Sequence, residues 1–380
     1  MHLKRVIITG LFGRKGTQVL EFHPDLNILT GKNGSGKTTV MKLIWYVISG
    51  RIVSALMEID FARVKISTDL YEVEVIRTGS NTCRVRWASD GTEFVYEDGE
   101  RDEDGDFLNA EDIPNSKMSK IGPTIFFPTF RRIEGGFAIN DRDGYEPALR
   151  RANTDIPAAF AALSSKLSSP KHTFVAAVAT TDIERLLLKQ YTEASEQATA
   201  VQQATSENII KEIKDFKEDQ AEGRVEGQED PASAEIVLDK IKSMIETMEG
   251  ERRGALSQYN AIRDLVMRIL RHSGLKVGRL SFGDAAAAIN SDALSAGEKQ
   301  MLSFLCYNAF YDHGCIFVDE PELSLHVDWQ RQLFPTLFNQ EKENQFIIAT
   351  HSPFIYSRYP DREIKLQDDR GDSDLESILG

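Results

Sequence analysis

The strongest chemical signal in this chain is eight residues long: Gly31-Lys32-Asn33-Gly34-Ser35-Gly36-Lys37-Thr38. It follows an apolar run, Leu26–Leu29, and precedes a helix-prone one, Thr39–Ile48. Glycines at this spacing let backbone N–H groups turn inward around phosphate oxygens, and the dipole of the following helix adds positive potential. In such a loop Lys37 reaches the β- and γ-phosphates while the Thr38 hydroxyl binds Mg²⁺. Gly31, Asn33, Gly34, Ser35, Gly36, Lys37, Thr38 and Thr39 are therefore the candidate nucleotide-binding residues, with ATP and Mg²⁺ the implied ligands.

Three further constellations lie far downstream. Cys315-Ile316-Phe317-Val318-Asp319-Glu320 is an apolar β-run ending in two acids. Beside a phosphate loop, Asp319 is placed to hold the Mg²⁺ shell, and Glu320 to orient or deprotonate an attacking water. Leu294-Ser295-Ala296-Gly297-Glu298-Lys299-Gln300 opens an apolar helix, Met301–Phe310. Ser295 with Glu298 three positions on reads as a capping box, and a capped helix N-terminus is also an anion site. Last, the apolar strand Phe346–Thr350 ends in His351-Ser352-Pro353. Alone, a histidine after a strand is usually structural; this one matters for the company it keeps.

These residues need elements to position them. Residues 3–9 and 19–29 are β-rich runs broken by Gly10, Gly13, Gly16 and Pro24. Alternation over 70–77, 83–87 and 92–96 predicts an antiparallel meander. From Glu97 to Asp112, nine acids and one Arg predict a solvated loop. Its D-E-D-G-D run fails as a calcium loop, because Phe107 stands where the tight-turn glycine belongs. Residues 121–128 read as a buried strand followed by a basic turn.

Lys171 to Glu222 contains neither Gly nor Pro. Ile183, Leu187, Ala194, Val201, Ile209, Ile213 and Phe216 recur at three-, four- or seven-residue steps. After an acidic, Gly-containing loop at 218–232, Leu238, Ile241, Ile245, Met248, Arg252, Tyr259, Ile262, Val266 and Ile269 keep a coiled-coil rhythm. Two helices of ~36 residues make an antiparallel hairpin arm of about 50 Å. The expected organisation is α/β over 1–180, a helical arm over 181–274, and a return to α/β over 275–380.

Composition narrows the class. The 380 residues carry a net charge of −14 and are 41% hydrophobic, as in an ordinary soluble chain. No apolar run approaches the ~20 residues of a membrane span, and the start is too short for a signal peptide. The three cysteines, Cys83, Cys306 and Cys315, favour neither a disulfide framework nor a zinc site, so a reducing cytoplasm is expected. The acidic balance weighs against broad nucleic-acid coating, although Arg131-Arg132, Arg150-Arg151 and Arg252-Arg253 keep local DNA contact open.

In this order the four motifs resemble the ABC-type ATPase head: Walker A, signature, Walker B with its glutamate, and switch histidine. The resemblance implies a P-loop core sheet, an antiparallel β meander and an inserted helical hairpin. It implies that Ser295 and Gly297 meet the γ-phosphate of ATP held by a second copy, with Glu298 beside them among the nucleotide-binding residues and Glu320, His351 and Lys37 as the catalytic set. Thr38 and Asp319 become the metal residues, and Pro321–His326 the D-loop. Lys37 and Leu294 lie 257 positions apart, and the arm fills that distance as it does in RecF, SMC and OLD-type ATPases. E-P-E-x-x-L-H and A-T-H-S-P look like the RecF/OLD-like branch (AAA_15 or AAA_21), which includes ATPase subunits of anti-phage systems such as PARIS, Septu and retrons.

Two departures follow. No glutamine occurs between Gln18 and Gln190, so the usual Q-loop residue is missing, and Pro128–Glu134 occupies its place with Arg131 or Arg132 as candidate phosphate neighbours. OLD-type proteins carry a C-terminal nuclease, whereas 29 residues follow His351 here, including an acidic stretch at 368–376. The expected function is an ATPase that dimerises around ATP, or forms a higher oligomer, and controls a separate effector, a nuclease or toxin, in defence. A RecF-like repair ATPase that binds DNA is the alternative. A transporter subunit with a membrane partner is not expected.

Overall fold

Period-two alternation through the first hundred residues builds an antiparallel sheet. The computed structural model describes residues 1–101, 107–129, 132–133, 159–160, 162–178, 180–222, 235–254, 295–340 and 342–366. The first strands are β1 (Leu3–Thr9), β2 (Thr17–Glu21) and β3 (Leu26–Thr30), followed by helices α1 (Lys37–Ile48) and α2 (Ile52–Glu58). Then come β4 (Arg63–Thr68), β5 (Glu72–Arg77), β6 (Cys83–Ser89) and β7 (Thr92–Glu97). The antiparallel order is β2-β1-β4-β5-β6-β7. Ile8 faces Val64, Val64 faces Val75, and Val75 faces Val85, all buried. The opposite face is a ladder of cross-strand charge pairs: Arg5–Glu21 at 2.9 Å, Lys65–Glu72 at 2.9 Å, Arg84–Glu97 at 2.6 Å, and Arg63 and Arg86 both on Glu74.

The acidic stretch is not simply a loop. Within it β8 (Glu100–Arg101) pairs with β9 (Phe107–Leu108), and helix α3 (Asp112–Met118) starts at its end. Asp112 gives that helix an acidic first turn, where a carboxylate meets the positive end of the dipole.

The second sheet is parallel throughout. Its remaining strands are β10 (Thr124–Phe127), β12 (His172–Phe174), β14 (Cys315–Asp319), β15 (Gln345–Ala349) and β16 (Glu363–Lys365), in the order β12-β10-β14-β15-β3-β16. A shorter parallel pair joins β11 (Arg132–Ile133) to β13 (Ala177–Val178). Every residue of β3, β10, β14 and β15 is buried, the near-continuous apolar pattern of strands covered on both faces. Helix α1 is buried at nine of its twelve positions, and one core joins it to residues of both sheets. Trp45 of α1 packs against Phe126 and Phe174 with ring centroids 5.5 Å away in each case. This is the α/β head with a core sheet and an antiparallel meander that the sequence leads one to expect.

Met1–Ala179 with Ser295–Gly380 form one compact unit and Thr180–Leu294 a second. In the second, α4 (Thr180–Glu222) runs for 43 residues, about 65 Å. It passes through the expected loop start at 218, because Glu, Asp, Gln and Ala sustain a helix until Gly223. Helix α5 (235–254) lies antiparallel to it. Lys240 meets Glu212 at 2.6 Å, while Val201 and Glu251 line the same groove nearer the other end. The apolar stripe of α5 is Val237, Ile241, Met244 and Met248, whereas Leu238 and Ile245 are exposed. The expected register therefore slips by one residue at those two positions. Tyr259, Ile262, Val266 and Ile269 lie outside the described residues. Helices α6 (Ala296–Phe310), α7 (Val327–Phe338) and α8 (Pro353–Tyr356) belong to the head.

A buried polar chain crosses that head. The Trp45 indole N–H donates to Thr124 Oγ1 at 3.1 Å, Thr124 Oγ1 lies 2.8 Å from His172 Nδ1, and His172 Nε2 lies 2.9 Å from the Met118 carbonyl. A carbonyl only accepts, so Nε2 carries the proton and Nδ1 takes the Thr124 hydroxyl. Burial holds this imidazole neutral, pushing its pKa down to about 4. In the unfolded chain a histidine titrates near 6.5, so between those values only the unfolded state takes up the proton, and stability falls as the pH is lowered. Wild-type protein should lose about 2 kcal/mol of unfolding free energy between pH 7 and pH 5 that His172→Gln does not lose. Urea denaturation at the two pH values measures this; identical losses would exclude His172 as the source.

Candidate functional site

Parallel pairing brings four strand ends to one edge. Phe127 of β10 sits opposite Val318 of β14, Asp319 opposite Ala349 of β15, and Ala349 opposite Leu29 of β3. The segments leaving those ends are Pro128–Thr129, Glu320–Glu322, Thr350–Ser352 and Gly31–Thr38. Ligands of open α/β sheets bind at this carboxyl edge.

The Gly31–Thr38 loop is shaped for close approach. Gly34 (φ 78°) and Gly36 (φ 95°) are left-handed, a conformation L side chains rarely adopt. A Cβ on Gly36 would stand 2.8 Å from Phe12 Cε2, and one on Gly31 the same distance from Ser35 Oγ. Ser35 Oγ is buried and has no hydrogen-bond partner among the described residues. The N-terminus of α1 has no side-chain cap. An orphaned buried hydroxyl beside uncapped helix N–H groups fits a phosphate.

Lys37 is buried, and its three protons have acceptors: the Gly31 carbonyl at 3.1 Å, the Lys32 carbonyl at 3.4 Å and His351 Nε2 at 2.6 Å. His351 is thereby an acceptor at Nε2, leaving its other ring nitrogen to carry the proton. Burial lowers the Lys37 pKa from its ordinary value, opposed by the charges of Glu320, Asp319 and Glu322.

Asp319 is fully buried. Thr38 Oγ1 donates to its Oδ1 and Oδ2 at 3.0 and 2.9 Å, and the Thr129 hydroxyl donates to Oδ2. Two hydroxyls and a carboxylate are hard oxygen donors suited to Mg²⁺, which takes few protein ligands and completes its shell with phosphate oxygens and water. Glu320 occupies a left-handed backbone (φ 49°), pinned by its N–H to the Ala349 carbonyl at 2.8 Å. Its carboxyl comes within 3.7 Å of His351 Nε2. Burial first, then hydrogen bonding and repulsion from Glu322, raise its pKa above the usual carboxylate range.

Two residues escape the sequence reading. Glu322 Oε1 accepts from the Thr350 hydroxyl at 2.7 Å, the His351 N–H at 2.8 Å and the Ser352 N–H at 3.0 Å. It thus holds the turn that presents His351, and its signal was the spacing of two acids in Glu320-Pro321-Glu322. Thr129 stands where the basic turn was given the role: Arg131 lies outside the described residues, and Arg132 is described only as backbone in β11.

Ser295, Gly297 and Glu298 gather at the start of α6. Ser295 and Glu298 form the expected capping box, with the Ser295 N–H donating to Glu298 Oε2 at 2.8 Å. A Cβ on Gly297 would stand 2.4 Å from the Ser324 carbonyl, so this helix start packs against the Pro321–His326 segment. Leu294 lies outside the described residues. Asn33 is exposed at the loop tip and Thr39 sits in the first turn of α1. Among the described residues no helix is long and apolar enough to cross a membrane.

Glu322→Ala removes the acceptor of the Thr350 hydroxyl and of the His351 N–H, while the Ser352 N–H keeps Thr350 Oγ1 at 2.9 Å, and should cost about 2 kcal/mol of stability. Glu322→Gln keeps the acceptor oxygen and should cost less than about 1 kcal/mol. Thermal and urea unfolding of both variants checks the pair; equal losses would mean that Oε1 is not the anchor.

Residues 26–357 match AAA_21, the family described as "AAA domain, putative AbiEii toxin, Type IV TA system". Over 86 residues the chain is 29% identical to the retron Vc95 probable ATPase of Vibrio cholerae serotype O1 biovar El Tor, covering 19% of this chain and 17% of that one. It is 24% identical over 129 residues to the DNA replication and repair protein RecF of Desulforamulus reducens (34% and 31% covered), and 28% identical over 144 residues to endonuclease GajA of Bacillus cereus (32% and 25% covered). The chain thus spans less than a third of each relative's length. With residues 26–357 matched, the chain belongs to the AAA_21 family.

Proposed function

We propose that this chain binds ATP with Mg²⁺ at the carboxyl edge of its parallel sheet and hydrolyses it to ADP and phosphate. The observation that carries the reading is the convergence of Lys37, Thr38, Asp319, Glu320 and His351, drawn from three strand ends, at one place on the sheet's edge. A γ-phosphate oxygen in the Gly31–Thr38 cradle takes over Lys37 donors now spent on loop carbonyls and His351. The inward N–H groups and Ser35 Oγ bind the remaining phosphate oxygens. Mg²⁺ supplies charge neutralisation of the phosphates, and Thr38 and Asp319 hold it. Glu320 accepts the proton of the attacking water, and His351, released from Lys37, donates toward the phosphate as charge develops.

The site is completed by a second copy in this reading. Ser295 and Gly297 of one copy meet the γ-phosphate held by the other, with Glu298 capping that helix start, so ATP binding closes a head-to-tail dimer and hydrolysis opens it. That cycle acts as sensor or scaffold for a separate effector protein, a nuclease or toxin, in prokaryotic anti-phage defence within the cytoplasm. Family membership and the likeness to a retron ATPase support this branch. A DNA-loading role gains nothing from the meander face, where Arg5, Arg63, Lys65, Arg84 and Arg86 meet carboxylates.

Lys37→Ala should weaken ATP binding about 10- to 100-fold by removing a charged phosphate contact. Glu320→Gln should bind ATP normally, turn over about 100-fold or more slowly, and elute as a dimer with ATP and Mg²⁺. Isothermal titration, phosphate release and size-exclusion chromatography test these outcomes. Wild-type turnover by Glu320→Gln would remove Glu320 as the base.

A further inference from the structure

Thr129 has no assigned role, and its position asks for one. It is the second residue past β10, and its hydroxyl donates to Asp319 Oδ2, the oxygen that also accepts from Thr38 at 2.9 Å. We propose that Thr129 is a third protein oxygen at the Mg²⁺ site, binding the cation directly alongside Thr38 and Asp319; this rests on the ATP reading above.

Asp319 is a fully buried carboxylate contacted by two neutral hydroxyls from two different strand ends. A hydroxyl donates one proton and offers two lone pairs, so each threonine serves the carboxylate in this state and can face a cation through its oxygen. Thr38 and Thr129 meet at the same Oδ2, so a cation drawn to Asp319 from this edge has both oxygens beside it. The backbone fixes this approach: β10 runs parallel to β14 in register, and Pro128 restricts φ immediately before Thr129. Half-buried hydroxyls that merely filled space would not converge on one carboxylate oxygen. Three hard oxygens suit Mg²⁺, leaving its other positions to phosphate and water.

The test uses the full chain with ATP and titrates the metal. Thr129→Val keeps the shape and deletes the oxygen. In EDTA its ATP affinity should equal wild type, whereas Mg²⁺ should enhance that affinity about tenfold less. Thr129→Ser should restore the full enhancement. Thr129→Cys replaces a hard donor with a soft one, so its ATP complex should bind Mg²⁺ about tenfold more weakly and Cd²⁺ more tightly than wild type. That inversion separates direct ligation from simple orientation of Asp319, and it can be read even if the valine variant does not fold. Wild-type Mg²⁺ enhancement in Thr129→Val, or an unchanged Mg²⁺-to-Cd²⁺ ratio in Thr129→Cys, overturns the proposal. If wild-type protein itself binds no ATP, the functional reading fails as a whole, a result distinct from failure at Thr129 alone.

Discussion

One buried ammonium group sets the terms for everything around it. Taking Lys37 out of water is costly unless each proton finds an acceptor and opposite charge stands close by. Both conditions are met, by Gly31, Lys32 and His351 for the protons and by Glu320, Asp319 and Glu322 for the charge. Remove that cation and three acids share a pocket with nothing to balance them. The two halves of the site, cationic loop and acidic strand end, are therefore held in place by the same electrostatics.

That balance demands a particular sheet. Four parallel strands must stop at the same level for residues near positions 37, 129, 320 and 351 to meet, and their in-register pairing ensures that they do. The core stacked behind them makes the level hard to shift, with Trp45 wedged against Phe126 and Phe174. At the edge Glu320 and Ser324 hold left-handed backbones outside glycine, as Phe12, Asp90 and His313 do elsewhere. Such residues typically cost about 1–3 kcal/mol and persist where surrounding contacts over-determine them. Here Ala349 pins Glu320 and Glu322 ties the following turn to Thr350–Ser352.

Much of this was legible in the residues. Gly31–Thr38, Cys315–Glu320 and Phe346–His351 each carry their chemistry in a contiguous stretch, so one strand and one turn suffice to read them. Thr129 and Glu322 were not readable that way, since their significance depends on which strands lie side by side and in what register. Strand β4 was overlooked although Val64, Ile66 and Thr68 alternate to its buried face. The run without Gly or Pro from Lys171 gave no sign of a strand at 172–174, yet His172–Phe174 pairs with β10, and that tertiary pairing overrides the absence of helix breakers. In the arm, a spacing of three or four residues suits several registers, and only the partner helix selects Val237 and Met244 over Leu238 and Ile245.

The central claim is that ATP is hydrolysed at a site built from two copies of this chain, and a mixing experiment tests it most directly. Lys37→Ala protein lacks the phosphate cation, and Ser295→Arg protein blocks the face offered to the other copy. Each alone should be inactive. Mixed in equal amounts, random pairing makes half the dimers hybrid, each with one intact composite site, so the mixture should recover about a quarter of wild-type ATPase activity. A mixture as inactive as its components, or full activity in Ser295→Arg alone, would contradict the account.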